Sequence, residues 1–172
     1  MMRETEADRR AEREIAEAAA RYWGVEAEPR KLPKLYCFDF ALERGRDFVT
    51  FLEAKDRPGL SYGFGDGYYI ALSKIINAQT FRDACGLPVL LVVRFSNGAI
   101  HWTRLHDGVT RVIWAGRKDR PDDPLAMEPH GVIPWEMFAP IKILRVTIAP
   151  KDAADGARIV NDIGRLLRGE GA

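Results

Sequence analysis

Asp47-Phe-Val-Thr-Phe-Leu-Glu-Ala-Lys55 is the stretch on which the fold turns. Its aromatic and β-branched content marks a strand, and it ends on an acid and a lysine two residues apart. Residues two apart on a strand project from one face of the sheet, so Glu53 and Lys55 stand side by side. Ahead of it, Leu35-Tyr-Cys-Phe-Asp-Phe-Ala-Leu42 is a second strand candidate, with Glu43-Arg-Gly-Arg46 as the turn, so residues 35–55 form a hairpin. Behind it, residues 56–67 hold Pro58 and glycines at 59, 63, 65 and 67, and are expected to be a mobile loop. Tyr68 to Cys85 is expected as a helix closed by Gly86-Leu-Pro88. Pro88-Val-Leu-Leu-Val-Val-Arg-Phe95 is a continuous apolar run, the pattern of a strand buried on both faces. Strand, helix and strand in this order form a crossover, which makes 47–55 and 89–95 a parallel pair.

Outward from this unit, Thr5 to Trp23 is predicted as a helix. Ala11, Ile15, Ala18, Ala19 and Tyr22 fall on one stripe, and Gly24 stops it. Residues 25–34, with Pro29 and Pro33, are read as a short strand or a loop. Ser96-Asn-Gly98 is a tight-turn signal. Residues 99–105 and 109–115 are expected as a hairpin around His106-Asp-Gly108, and residues 116–131 as a charged loop. A short segment surrounds Trp135 and Phe138, an edge strand is expected over 141–148, and a terminal helix over 152–168. The expected architecture is one α/β domain with a mixed sheet: a core over 5–98, a β-rich extension over 99–150, and a terminal helix and tail over 151–172.

The chain has 172 residues, 26 Lys+Arg against 25 Asp+Glu, a net charge of +1, and 47% apolar residues. This is the composition of a globular domain with its own core, and it excludes disordered and fibrous classes. The near balance of charge also argues against coating nucleic acid by bulk positive charge, though not against a local basic patch. Cys37 and Cys85 cannot build a disulfide framework and are expected as buried free thiols in a reducing compartment. Met1 to Arg13 is charged and carries no apolar signal core, and the longest apolar run, 87–93, is far below the ~20 residues of a bilayer span. A cytoplasmic protein with no membrane partner is the expectation.

The chemistry centres on acids near the hairpin. A carboxylate at Glu53 can hold a hard divalent cation, with the Lys55 ammonium beside it. Asp39 lies between Phe38 and Phe40, where a carboxylate is costly unless paired or bound to metal. An even hairpin register puts Asp39 on the face of Glu53 and Lys55; an odd one removes it. The acid–x–lysine triplet alone arises roughly once by chance in such a chain, so its context carries the weight; the alternative is an exposed edge pair. On the first helix, Glu12 lies about 60° from Ile15, the centre of the apolar stripe, whereas Glu14 and Glu17 lie farther round. Glu12 is therefore the acid that borders the core face, either as a site residue or as a boundary glutamate reaching to water.

These residues resemble the PD-(D/E)XK nuclease superfamily, within it the archaeal Holliday-junction resolvases and small phage nucleases. The likeness covers about residues 8–95. Ala11-Glu-Arg-Glu-Ile15 is similar to the Glu-Arg-x-(Ile/Leu) opening of the resolvases, and Glu53-Ala-Lys55 matches (D/E)-x-Lys. Phe38-Asp39 stands where the family has Pro-Asp. The resemblance implies a restriction-endonuclease-like αβββαβ core with a mixed central sheet flanked by helices. It implies a metal-dependent endonuclease acting on DNA. Asp39, Glu53 and the Ala54 carbonyl would ligate Mg²⁺ or Mn²⁺, with Glu12 assisting, and Lys55 would serve the reacting water and the transition state. Lys74, on the following helix, would contact a phosphate or else lie exposed; Gln79 is a weaker candidate. Arg13 and Arg57 flank the site as phosphate contacts, and the resolvase likeness implies a homodimer.

Other signals are weaker. Gly63-Phe-Gly-Asp-Gly67 lacks the spacing of a phosphate loop. His101, His106 and His130 have no zinc-ligand spacing with the cysteines. Trp23, Trp102, Trp114 and Trp135 are expected at core and boundary positions. Basic residues cluster at Arg9, Arg10 and Arg13, at Arg30, Lys31 and Lys34, and at Arg117, Lys118 and Arg120.

Overall fold

The computed structural model describes residues 5–25, 29–33, 36–116 and 127–142. Thr5 opens the first helix, α1 (Glu6–Tyr22), with a capping box: its hydroxyl accepts the Asp8 amide at 3.1 Å, and its own amide donates to the Asp8 carboxylate at 2.9 Å. Three strands follow, β1 (Arg30–Lys31), β2 (Phe40–Arg44) and β3 (Asp47–Asp56). The chain then makes β4 (Tyr68–Ala71), α2 (Leu72–Cys85), β5 (Val89–Arg94), β6 (Ile100–Arg104), β7 (Arg111–Gly116), β8 (Met127–Ile133) and β9 (Ala139–Pro140).

The main sheet has the order β1-β2-β3-β5-β6-β9 and is mixed, because β3 and β5 pair in parallel while their other neighbours run antiparallel. The parallel pair follows from the crossover through α2, and β5 is buried from Val89 to Val93 as its apolar run requires. Strand alternation then sorts the core into two layers. Phe40, Leu42, Leu52, Ala54, Leu90 and Val92 face α1, which packs on them through Ile15, Ala16, Ala19 and Ala20. The small alanine face lets the helix lie close to the sheet. Ala41, Phe51, Val89, Leu91 and Val93 face the other way, against Ala78 of α2 and Tyr68, Ile70 and Ile133 of the second sheet, β4-β8-β7. The α/β class and mixed central sheet expected from sequence are thus observed.

Several boundaries differ from expectation. The strand expected over 35–42 begins at Phe40, because the chain bends over Tyr36 to Asp39. The helix expected from Tyr68 begins at Leu72; Tyr68–Ala71 is instead captured by β8. Residues 99–105 and 109–115 do not pair with each other: β6 joins the main sheet beside β5, and β7 pairs with β8. Part of the expected 116–131 loop is therefore strand β8. Residues 141–142 are not strand, and 143–148 and the expected terminal helix over 152–168 lie outside the described residues. Cys37 is only partly buried and Cys85 is exposed, contrary to their apolar sequence context. Trp114 is also exposed, at 70%, whereas Trp23 is buried.

The glycine-rich segment after β3 is tied down rather than loose. The Tyr62 hydroxyl donates to the Trp135 carbonyl at 2.8 Å, and its ring stacks on His101 at 4.1 Å. The Trp135 indole N–H donates to the Gly65 carbonyl at 3.2 Å. Among the described residues, no helix is long and apolar enough to cross a membrane.

Candidate active site

The site lies where β2 and β3 part. The hairpin register pairs Phe40 with Leu52, so Asp39 falls opposite Glu53, and its amide donates to the Leu52 carbonyl at 2.9 Å. This is an even register, and Asp39 belongs with Glu53 and Lys55. Because the chain bends before Phe40, no backbone group of β2 reaches Ala54. The Asp39 carboxylate fills that ladder position, with Oδ2 accepting the Ala54 amide at 3.0 Å. An extended residue directs its N–H and C=O to the same edge, so the Ala54 carbonyl opens onto the same gap.

Glu53 is fully buried, at 0% exposure, and two lysines compensate it. Lys55 Nζ lies 2.6 Å from Oε1, as an ion pair outside good hydrogen-bond geometry, which leaves Oε1 an orphaned buried acceptor. Lys74 Nζ donates to Oε2 at 2.8 Å and to the Cys37 carbonyl at 2.6 Å. Lys74 thus faces the site rather than the helix surface. Lys55 also stands 3.7 Å from Asp39 Oδ2. Burial would lower the Lys55 pKa, but the charges of Glu53 and Asp39 outweigh it and hold the ammonium above the ordinary lysine value. Lys55 is therefore a cation at neutral pH.

Glu53 and Lys55 project from the sheet face opposite α1, so Glu12 reaches the site only around the end of the sheet. It does so through Lys31 on β1. Lys31 Nζ donates to Glu12 Oε2 at 2.6 Å and lies 3.6 Å from Asp39 Oδ1. Burial, more than any other cause, raises the Glu12 pKa; the Lys31 hydrogen bond opposes this and the Asp39 charge adds to it. Glu12 is thus a half-buried, paired residue rather than one that simply reaches to water. Three carboxylates, Glu12, Asp39 and Glu53, meet three ammonium groups, Lys31, Lys55 and Lys74, in one cluster.

The remaining candidates are peripheral. Arg57 Nε donates to the hydroxyl of Tyr68 at 3.2 Å; burial raises that phenol's pKa, and the Arg57 charge opposes the rise. Arg13 is exposed on α1 beside Glu12. Gln79 is turned away, donating to Asp83 at 2.8 Å along its own helix. Lys31 is the residue that sequence reasoning missed as part of the site. A strand of two residues has no periodicity to read, and its only signal was membership of a basic cluster.

The donor set is all oxygen, which suits a hard divalent cation, and the orphaned Glu53 Oε1 supplies a buried acceptor for one. No group of three His, Cys, Asp or Glu side chains among the described residues forms a ready-made cage.

A buried acid–x–lysine at a strand end, an aspartate across the hairpin and a helix glutamate at its edge thus meet in one place. Residues 1–141 match the family described as "phage putative PDDEXK endonuclease", and the chain belongs to that family. It is accordingly a nuclease whose substrate is DNA. Among solved structures, the chain is similar to Hjc, a Holliday junction resolvase from Archaeoglobus fulgidus, at 13% identity and a TM-score of 0.47, over 77% of this chain and 90% of that one. No curated protein matches it.

Proposed function

We propose that the protein is a Mg²⁺- or Mn²⁺-dependent endonuclease that hydrolyses phosphodiester bonds in DNA, with branched DNA among its substrates. The observation that carries this reading is the convergence of Asp39 and Glu53 on Lys55, at 3.7 and 2.6 Å. Asp39, Glu53 and the Ala54 carbonyl would hold the cation, with Glu12 assisting. A divalent cation there supplies Lewis-acid polarisation of a phosphate oxygen and makes hydroxide available at neutral pH.

The chain's own residues supply the rest. The Lys55 ammonium, held protonated by its two acids, donates to the charge that develops on the phosphate oxygens, an electrostatic role in a partly dry site. Lys74 is a positioning residue: bonded to both Glu53 and the Cys37 carbonyl, it fixes the buried carboxylate's rotamer. Arg57 and Arg13 lie at the rim, where contacts to phosphates set register on the DNA. The Glu12-Arg13 opening, similar to that of the resolvases, favours branched substrates and a homodimer that cuts two strands. The free thiols at Cys37 and Cys85 support a reducing, cytoplasmic setting. A DNA- or protein-binding module with a lost active site is disfavoured, because Asp39, Glu53 and Lys55 are all present and in contact.

The test is cleavage of supercoiled, linear and four-way-junction DNA with Mg²⁺, with Mn²⁺ and with chelator. We expect metal-dependent products that chelator abolishes. Absence of cleavage on every substrate in either metal would refute the reading.

A further inference from the structure

Lys31 already stands where a cation is wanted. Its ammonium lies between two carboxylates from different elements, 2.6 Å from Glu12 on α1 and 3.6 Å from Asp39 ahead of β2. The backbone holds it there: Lys31, in the two-residue β1, pairs with Phe40, and the next amide, Leu32, donates to the Asp39 carbonyl at 2.9 Å. From that position the ammonium also sits over the Phe40 ring, 4.6 Å from its centre. With Lys55 and Lys74 on Glu53, ammonium groups already face all three carboxylates. A divalent cation entering it must therefore compete with a resident positive charge.

We propose that Lys31 is a resident counter-ion. Its ammonium fills the gap between Glu12 and Asp39 until a divalent cation enters, and then turns to a DNA phosphate. The inference rests on the reading of Asp39 and Glu12 as metal ligands and goes beyond it, because it assigns Lys31 opposite effects on the two partners. Removing the lysine removes a competitor of the metal and a contact of the DNA. A lysine that merely preorganised the carboxylates would act in the same direction on both.

The experiment measures Mn²⁺ affinity by electron paramagnetic resonance in the full chain, without DNA, for the wild type, Lys31→Met and Asp39→Asn. Methionine keeps the aliphatic stem over Phe40; Lys31→Gln, of similar length, is the second variant should Lys31→Met fold poorly by circular dichroism. We expect Lys31→Met to bind Mn²⁺ on the order of tenfold more tightly than wild type, as loss of one charge a few ångströms from the ion implies. With Ca²⁺ present, we expect its DNA affinity to fall and the slope of log K against log salt to shrink by about 0.9, one phosphate contact. Weaker or unchanged Mn²⁺ binding in the Lys31 variants, with Asp39→Asn still losing affinity, would overturn this inference and leave the metal site standing. Mn²⁺ affinity unaffected by Asp39→Asn would overturn both.

Discussion

Lys55→Met is expected to slow metal-dependent DNA cleavage by about 10²–10³-fold, the cost of deleting one preorganised donor to developing charge. The side chain is placed by the strand period beside Glu53, and the charges of Glu53 and Asp39 keep it protonated despite burial. The substitution leaves Glu53 paired with Lys74 at 2.8 Å, so the buried carboxylate is not stranded. DNA affinity in Ca²⁺ should therefore stay within about threefold of wild type, since rim contacts rather than Lys55 supply most of the binding. Single-turnover rates and fluorescence anisotropy separate the two effects. Equal losses in rate and affinity would mean that Lys55 binds substrate rather than stabilising the transition state.

Asp39 offers the second large effect, because the proposed metal ligand also has a place in the fold. Its Oδ2 replaces a missing ladder partner at the Ala54 amide, 3.0 Å away, while its charge faces Lys31 and Lys55. Asp39→Asn keeps an acceptor for that amide and removes the charge. It is expected to melt close to wild type while losing at least about tenfold in Mn²⁺ affinity, since ligand charge sets affinity at such sites. Asp39→Ala loses both, and should be destabilised by a further ~1 kcal/mol for the unmet amide. Thermal melts and Mn²⁺ titrations of the two variants check this. Should Asn and Ala destabilise alike, the Ala54 hydrogen bond would have no structural value.

The difference between legible and illegible parts of the chain has a physical pattern. Asp47 to Lys55 and Val89 to Val93 were readable because local composition and burial agree: both strands are central, and their pairing needs only the intervening crossover. Glu12 was singled out by helix geometry, whereas the place of Asp39 beside Glu53 and Lys55 hung on the parity of the hairpin register, which is even at Phe40 and Leu52. The failures lie where long-range pairing decides. Tyr68-Tyr-Ile-Ala71 runs into α2 without a breaker, and the helix start at Ala71 has no side-chain cap to announce it. Its alternation of buried Tyr68 and Ile70 with exposed Tyr69 is a strand signal only once β8 is beside it. Met127–Ile133 contains Pro129 and Gly131, which argue against a central strand. It is tolerated because β4 pairs only with residues 130–133, leaving Pro129 paired on one side alone. Lys31 was hidden for a related reason: its strand exists only because β2 is there to receive it.

Asp39, Glu53 and Ala54 are proposed to form a divalent-cation site beside Lys55. Crystals grown with Mn²⁺ and measured at a wavelength with strong manganese anomalous scattering test this most directly. An anomalous peak is expected at bonding distance from the Asp39 and Glu53 carboxylates and the Ala54 carbonyl, with the Lys31 ammonium withdrawn from Asp39. A manganese peak held by other residues, in a protein that cleaves DNA with Mn²⁺, would contradict it.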